Sequence, residues 1–108
     1  MVRSTIRMVI PLNRQSEALE ILGSMTEQVQ FEAGCISSRL YRGMEDEREI
    51  MVEELWESDV DLQRHLRSDR YRRLLLVMEM AEAPPEIRFD TISHTSGVDT
   101  IEKARNQC

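Results

Sequence analysis

Apolar and polar residues alternate along the first ten residues of the chain. One side of an extended strand would carry a mainly apolar set, namely Val2, Ser4, Ile6, Met8 and Ile10. The other side would carry Arg3, Thr5, Arg7 and Val9. A period of two predicts a β-strand with one buried face. Pro11 follows directly and ends the pattern.

The spacing of the apolar residues then changes from two to three or four. The residues that follow the new spacing are Ala18, Ile21, Leu22, Met25 and Val29. This predicts an amphipathic helix with one buried face. Asn13 or Ser16 can cap its start, since both side chains accept hydrogen bonds from free backbone N–H groups. Gly34 indicates its end.

Two further strands are predicted at 35–42 and 49–56, joined as a hairpin by a polar turn at 43–47. Ser58, with Asp61 three residues later, resembles a capping box at the start of a second helical region. Leu62, His65 and Leu66 form a short apolar stripe, and Ser68 precedes a second stripe that begins at Tyr71. The pattern in this region therefore predicts two helical segments with a bend near 67–68.

The remainder of the chain predicts one more strand and a tail. Pro84 and Pro85 end the second helical region because proline lacks the N–H that a helix needs. Alternation returns from Ile87 to Ser96, and Gly97 breaks it. Residues 98–105 form either a short final helix or an arm.

The predicted order is β-α-β-β-α-β, which defines an α+β fold of the ferredoxin-like type with an antiparallel sheet. Residues 1–96 form one domain, and residues 97–108 form a C-terminal tail or short helix. Helices on one face of the sheet leave the other face uncovered. We therefore expect a homodimer in which two such sheets pack face to face, as a dimeric α+β barrel.

Composition narrows the classes of partner. The chain has 108 residues and a net charge of −6, which suits one small domain and disfavours nucleic acid as a partner. No apolar run approaches the roughly 20 residues of a membrane span, and no signal-peptide core is visible. Cys35 and Cys108 form no metal-binding or paired spacing. A reduced, cytoplasmic setting is expected.

Three aromatic side chains are candidates for one site. Trp56 ends a strand, and His65 lies on the apolar face of the helix that follows. A buried imidazole tends to be neutral and can act as a base. Tyr71 is six residues further on and can reach His65 only through the predicted bend. The alternative for Trp56 and His65 is plain core packing.

Four predicted strand residues could also reach a cavity or a dimer interface, namely Arg7, Tyr41, Arg88 and His94. An arginine there can hold an oxyanion because it stays charged at any working pH. Salt bridges to Glu53 or Asp90 are the alternative. The acidic turn at 45–47 lacks the spacing of a calcium loop, and no dinucleotide or zinc motif is present. We expect no metal and no cofactor.

Residues 3–96 resemble the antibiotic biosynthesis monooxygenase family. The segment that carries the resemblance runs Val52-Glu-Glu-Leu-Trp56-Glu-Ser58, continues through Leu62, His65, Ser68 and Tyr71, and ends in the helix around 74–75. The resemblance implies a dimeric α+β barrel. Members of the family include cofactor-free monooxygenases that turn polycyclic phenols or quinols into quinones, and others that degrade haem.

The chain departs from both groups at named positions. In a gapless alignment, the haem-degrading members have a tryptophan at the position of His65 and their haem-ligating histidine at the position of Leu75. The polyketide-oxidising members have an asparagine at the position of Val52 and a tyrosine at the position of Leu62. Of their set, the chain retains Trp56 and Arg88.

These observations predict a cofactor-independent monooxygenase that oxidises a small phenolic or quinol-type substrate with dioxygen. His65 would help remove the substrate proton, Trp56 would stack on its ring and Arg88 would stabilise the anion. Tyr71, Tyr41, Arg7 and His94 would contribute to substrate binding. The alternatives are a non-catalytic dimeric barrel that binds a small ligand or serves in a stress response, and an isomerase-like relative that uses His65 for proton transfer.

Overall fold

A computed structural model describes residues 1–106 of the chain. Its elements in order are β1 (Val2–Val9), α1 (Leu12–Val29), β2 (Cys35–Arg42), β3 (Glu49–Trp56), α2 (Asp59–Leu66), α3 (Tyr71–Met78), β4 (Glu86–Thr91) and α4 (Val98–Asn106). The strands form one sheet in the order β2-β3-β1-β4, and every neighbouring pair is antiparallel. The predicted ferredoxin-like α+β fold is confirmed. Cys108 lies outside the described residues.

The alternation in β1 and β3 decides which face of the sheet is buried. Even-numbered residues of both strands face the helices and are buried, whereas their odd-numbered neighbours point to the other face. The helices contribute their own apolar stripes to the same core. Its fully buried members include Ile6, Met8, Ile10, Ala18, Leu22, Val29, Ile50, Trp56, Leu74 and Val77.

The boundaries of α1 and α3 differ from the sequence predictions. Helix α1 begins at Leu12 with Pro11 at the N-cap position and no side-chain cap, so Asn13 and Ser16 lie inside the helix. It ends at Val29, before Gly34, whose φ of 80° instead shapes the turn into β2. Helix α3 ends at Met78, six residues before the first of the two prolines.

Strand β4 is shorter than the alternation from Ile87 to Ser96 predicts. It pairs with β1, whose first strand residue is Val2, and Val2 lies opposite Thr91. One more backbone hydrogen bond follows, from the Ile92 N–H to the Met1 carbonyl. Beyond it, the segment after β4 has no residue of β1 left to pair with. His94 is therefore not on a strand but in an exposed segment that leads to α4.

The sheet face opposite the helices is the open face. On the inner strands β1 and β3 it carries Arg3, Thr5, Arg7, Val9, Glu49, Met51, Glu53 and Leu55, and the edge strands add Tyr41 and Arg88. Among residues 1–106, no helix combines the length and apolar character that crossing a bilayer requires.

Candidate functional site

Trp56, His65 and Tyr71 form one aromatic cluster between the sheet and the helices. The rings of Trp56 and His65 stack with centroids 4.6 Å apart, and the Tyr71 ring meets the imidazole edge-on at 5.2 Å. Trp56 and His65 are at most 1% exposed, and Tyr71 is 8% exposed. The three side chains singled out by the sequence are thus brought together.

Local capping explains why these rings meet. The Ser58 hydroxyl accepts a hydrogen bond from the Asp61 N–H and donates one to the Asp61 carboxylate, which starts α2 directly after Trp56. At the predicted bend, the Ser68 hydroxyl donates to the His65 carbonyl at 2.7 Å and accepts from the Tyr71 N–H at 3.3 Å. The turn between α2 and α3 therefore places Tyr71 beside His65, which an unbroken helix would not do.

Two carboxylates approach the imidazole from opposite sides. Glu32, in the α1–β2 connection, lies 3.0 Å from Nδ1, and Glu54, on β3, lies 3.2 Å from Nε2. The Nδ1 contact is a hydrogen bond. The Nε2 contact has ion-pair distance but lacks the alignment of a hydrogen bond. His65 thereby connects α2 to β3 and to the end of α1.

These neighbours set the charge of His65. Burial alone would lower the pKa of the imidazole, but the carboxylates of Glu54 and Glu32 outweigh it and raise the pKa above its usual value. The raised pKa acts against the sequence-based expectation that burial favours the neutral imidazole. Burial gives a net decrease in a histidine pKa only where neighbouring carboxylates do not outweigh it.

Two groups in or beside the aromatic cluster stay protonated in the physiological pH range. Burial, assisted by Glu54, raises the pKa of the Tyr71 phenol to about 12. Burial also raises the pKa of the partly buried Cys35 thiol to about 11, with Glu54 and Glu32 acting in the same direction. Tyr71 can therefore donate a proton in a hydrogen bond but does not ionise in the physiological range. Cys35 is a poor nucleophile, because a thiol reacts through its thiolate.

Two more polar atoms in this region lack a hydrogen-bond partner among the described residues. They are the Trp56 indole Nε1 and the Ser38 hydroxyl, and Ser38 lies opposite Glu54 in the β2–β3 register. Buried polar atoms in proteins rarely remain unpaired. Each donor is therefore available to an oxygen atom of water or of a ligand.

The rim of the cluster is formed by Glu32 and Arg70. Arg70 donates a hydrogen bond to Glu32 at 2.8 Å, and their side chains are 35% and 19% exposed. Glu32 is thus held between a partly exposed guanidinium and a buried imidazole. The two carboxylates cannot share one metal ion with His65, because they face different ring nitrogens. Residues 1–106 contain no group of three potential metal ligands.

Three other predicted site residues lie on the open face. Arg7 forms ion pairs with Glu49 and Glu86, and Arg88 contacts Asp90 at 3.4 Å. Arg7 and Tyr41 line a depression of about 230 Å³, and Arg7 and Arg88 line another of about 150 Å³.

The sheet separates Arg88 from His65 within one chain, so these two residues cannot act on the same substrate in the way the sequence suggested. Arg88 lies opposite Thr5 in the β1–β4 register. Because Thr5 points to the open face, Arg88 points to the open face as well. His94 is also apart from the cluster. The structure thus divides the predicted set into an aromatic cluster, an open-face group and His94, which lies in the exposed segment after β4.

Sequence reasoning missed Glu32 and Glu54. Glu54 had a detectable signal, because it falls in the buried alternation of β3 with Ile50, Val52 and Trp56. A carboxylate on an apolar strand face predicts a buried partner. Glu32 had no such signal, since it lies in an irregular connection and is 33 residues from His65 in the chain.

The antiparallel sheet and its helices place the molecule in the class of ferredoxin-like α+β proteins. The sequence profile of the antibiotic biosynthesis monooxygenase family matches residues 1–75, and the chain belongs to that family. The matched segment includes Trp56, His65 and Tyr71 but ends before Arg88. No curated protein sequence matches the chain significantly.

Several solved structures share the fold. A conserved protein from Methanosarcina mazei Go1 is 23% identical with a TM-score of 0.78, over 82% of this chain and 89% of that chain. A protein from Mycobacterium tuberculosis is 22% identical with a TM-score of 0.79, over 89% and 98%. A structure described as an antibiotic biosynthesis monooxygenase is 15% identical with a TM-score of 0.79, over 87% and 100%. Identities this low establish the fold alone.

Proposed function

We propose that the chain is a cofactor-independent monooxygenase that oxidises a small phenol or quinol with dioxygen. The observation that carries this proposal is the imidazole of His65 held between two carboxylates and stacked on Trp56. Family membership supports the reaction class. The unpartnered donors of Trp56 and Ser38 favour a ligand that carries oxygen atoms.

In this mechanism the substrate hydroxyl gives its proton to neutral His65 at Nε2. Glu32 accepts the hydrogen bond from Nδ1–H, and both carboxylates stabilise the resulting imidazolium. The substrate anion then reduces dioxygen. For a phenol, one oxygen atom forms a bond to the ring carbon, that carbon loses its hydrogen, and the O–O bond breaks. The products are a quinone and one water molecule.

Because His65 must be neutral to accept a proton, the raised pKa has a kinetic consequence. Turnover should increase with pH as His65 loses its proton, and should level off above the raised pKa. Tyr71, protonated throughout, would donate a hydrogen bond to the bound substrate.

The open-face residues belong in a second part of the proposal. We infer that two copies pack through their open faces, so that Arg7, Tyr41 and Arg88 lie at the dimer interface. A sheet with one uncovered face needs such a partner to exclude water from its apolar residues. In this arrangement the three residues would bind the partner subunit rather than the substrate at His65.

The non-catalytic alternative also has an observation in its favour. The His65 side chain has no exposed surface, and its ion pairs join three elements, as a structural histidine would. In that case the barrel would bind a small ligand without transforming it. His65 would then contribute only to stability.

Oxygen uptake distinguishes the two functions. A panel of benzo- and naphthohydroquinones is incubated with the protein in the presence of a chelator, and uptake is corrected for spontaneous oxidation. The expected result is protein-dependent uptake that falls about 10²–10⁴-fold in His65→Gln. His94→Gln, on the exposed segment, is the control and should keep full activity. Absence of uptake across the panel, or less than about threefold loss in folded His65→Gln, would contradict the catalytic role.

A haem titration separates the chain from the haem-degrading group. The buried position equivalent to their tryptophan holds His65, and Leu75, at the position of their ligand, is 47% exposed. We expect no Soret shift at equimolar haem. Tight one-to-one binding with a Soret band would contradict the proposed substrate class.

A further inference from the structure

Helix α4 has no surface of its own to pack against. None of its nine residues is buried, and its two apolar residues Val98 and Ile101 are 64% and 59% exposed. An isolated helix of fewer than about 12 residues is marginal in water, because few hydrogen bonds offset the cost of starting it. The helix therefore needs a partner surface.

The dimensions of the molecule agree with a projecting element. The radius of gyration is 16.1 Å and the longest extent is 51 Å. A compact domain of this length has a radius of about 13 Å. The apolar residues of α4 are thus presented to solvent away from the core that the other helices share.

A matching groove lies on the outer surface between α1 and α3. It consists of two adjoining depressions of about 290 and 370 Å³, which share Ile21 and Leu76. Met80 adds a third apolar side chain, and Leu76 is 56% exposed. The rim of the groove carries more acidic than basic residues, namely Glu17, Glu20 and Glu79 against Arg14 and Arg73.

The residues of α4 complement this groove in both polarity and charge. Val98, Ile101 and Arg105 share one side of the helix, at positions i, i+3 and i+7. The first two can fill the apolar centre, and Arg105 can then approach the acidic rim. In the described chain both Ile101 and Leu76 are exposed, so the helix does not occupy its own groove.

We propose that α4 of one copy docks in the α1–α3 groove of a second copy, with the second copy returning the same contact. A reciprocal contact of this kind is satisfied by two copies. It buries twice the area that a single docked helix would bury. The groove lies on the helical side of the sheet, opposite the open face. This contact is therefore additional to the sheet-packed dimer and independent of the proposed oxygenation.

The test measures assembly mass by sedimentation in four forms of the full chain: wild type, Ile101→Asp, Leu76→Asp and Val60→Asp. Ile101 and Leu76 lie on the two sides of the proposed contact. Val60 is a control on α2, 66% exposed and outside the groove. Wild type and Val60→Asp should share one mass at micromolar concentration, and the other two variants should have half of it. Equal masses in all four would overturn the proposal.

Mixing the two defective variants shows whether the contact joins different copies. Ile101→Asp keeps an intact groove, and Leu76→Asp keeps an intact helix. Their mixture should therefore regain a heavier species that neither variant forms alone. If α4 instead docked within its own chain, mixing would restore nothing, and exchange between copies would be refuted. Oxygen uptake should be the same in all these variants, so failure here leaves the proposed reaction untouched.

Discussion

The pKa of His65 is raised by residues that are distant in the sequence. Burial and ion pairing act in opposite directions on its pKa, and the two carboxylates prevail. Glu32 comes from the α1–β2 connection and Glu54 from β3, so the charge state depends on the complete fold. The histidine is consequently a point where protonation and stability are linked.

The first prediction concerns the pH dependence of stability. In the unfolded chain the pKa of His65 is about 6.5, and in the folded chain it is higher. Below 6.5 both states carry the proton, and the full stabilisation is present. As pH rises through the folded pKa, the folded state loses a proton that it had held more tightly, and the stabilisation disappears. The free energy of unfolding should therefore decrease across this window.

Urea unfolding of wild type and His65→Gln between pH 6 and 9 measures the effect. Removing one partner of a buried ion pair costs about 3–5 kcal/mol, so the difference between the two proteins should be greatest near pH 6 and should shrink towards pH 9. His94→Gln is the control and should follow the wild type. A difference that stays constant over the whole range would contradict the linkage.

The second prediction compares two glycines. Gly34 has a φ of 80°, and a side chain there would overlap the Asp61 carboxylate, whereas Gly23 lies within α1 with open space around it. Gly34→Ala should be destabilised by about 1–3 kcal/mol from the backbone alone. Gly23→Ala should be stabilised by about 0.5–1 kcal/mol, because alanine suits a helix interior. Chemical denaturation would show opposite signs; a shared sign would argue against the backbone explanation for Gly34.

The sequence supplied about half of the candidate site. Trp56, His65 and Tyr71 could be found because they lie on one short segment whose two serine caps mark the bend between them. Glu32 could not be placed, since its contact depends on how the α1–β2 connection packs. Arg88 was grouped with His65 because the pairing partner of β4, and therefore the side of the sheet that Arg88 faces, depends on the sheet register.

At the scale of elements, local capping determined which boundaries could be predicted. The start of α2 was predicted because Ser58 caps it with its own side chain. The start of α1 was missed because Pro11 begins it without any side-chain hydrogen bond. Strand β4 was predicted too long because its end is set by the end of β1, which alternation within β4 cannot reveal.

The third prediction uses two serines to test this explanation. Ser58→Ala removes the hydroxyl that accepts from the Asp61 N–H, and should cost about 0.5–2 kcal/mol. Ser16→Ala is the matched control inside α1, where the residue is exposed and alanine has the higher helix propensity. Thermal unfolding should show a lower midpoint for the first variant and an equal or higher midpoint for the second. A loss at Ser16 as large as that at Ser58 would mean that Ser16 does cap α1.

For the molecule as a whole, the two faces of the sheet have different roles. The inner face carries the core and the aromatic cluster, and the open face combines ion pairs with apolar residues such as Met51 and Leu55. A half-apolar sheet face in a small domain is typical of a surface that packs against another sheet. In the two proposals made above, the open face and α4 each contact another copy of the chain, on separate surfaces.

The last prediction separates these contacts. Met51 lies at the centre of the open face, opposite Arg7 in the β1–β3 register and opposite Tyr41 in the β2–β3 register. Met51→Arg would place a second cation beside Arg7 in the sheet-to-sheet interface, where an unpaired charge loses its hydration. Sedimentation should show half the wild-type mass, while Val60→Arg, at an exposed position of α2, should retain the wild-type mass. Combining Met51→Arg with Ile101→Asp should leave a folded monomer, because both contacts are then lost. A double variant that still associates would show that a third surface joins the copies.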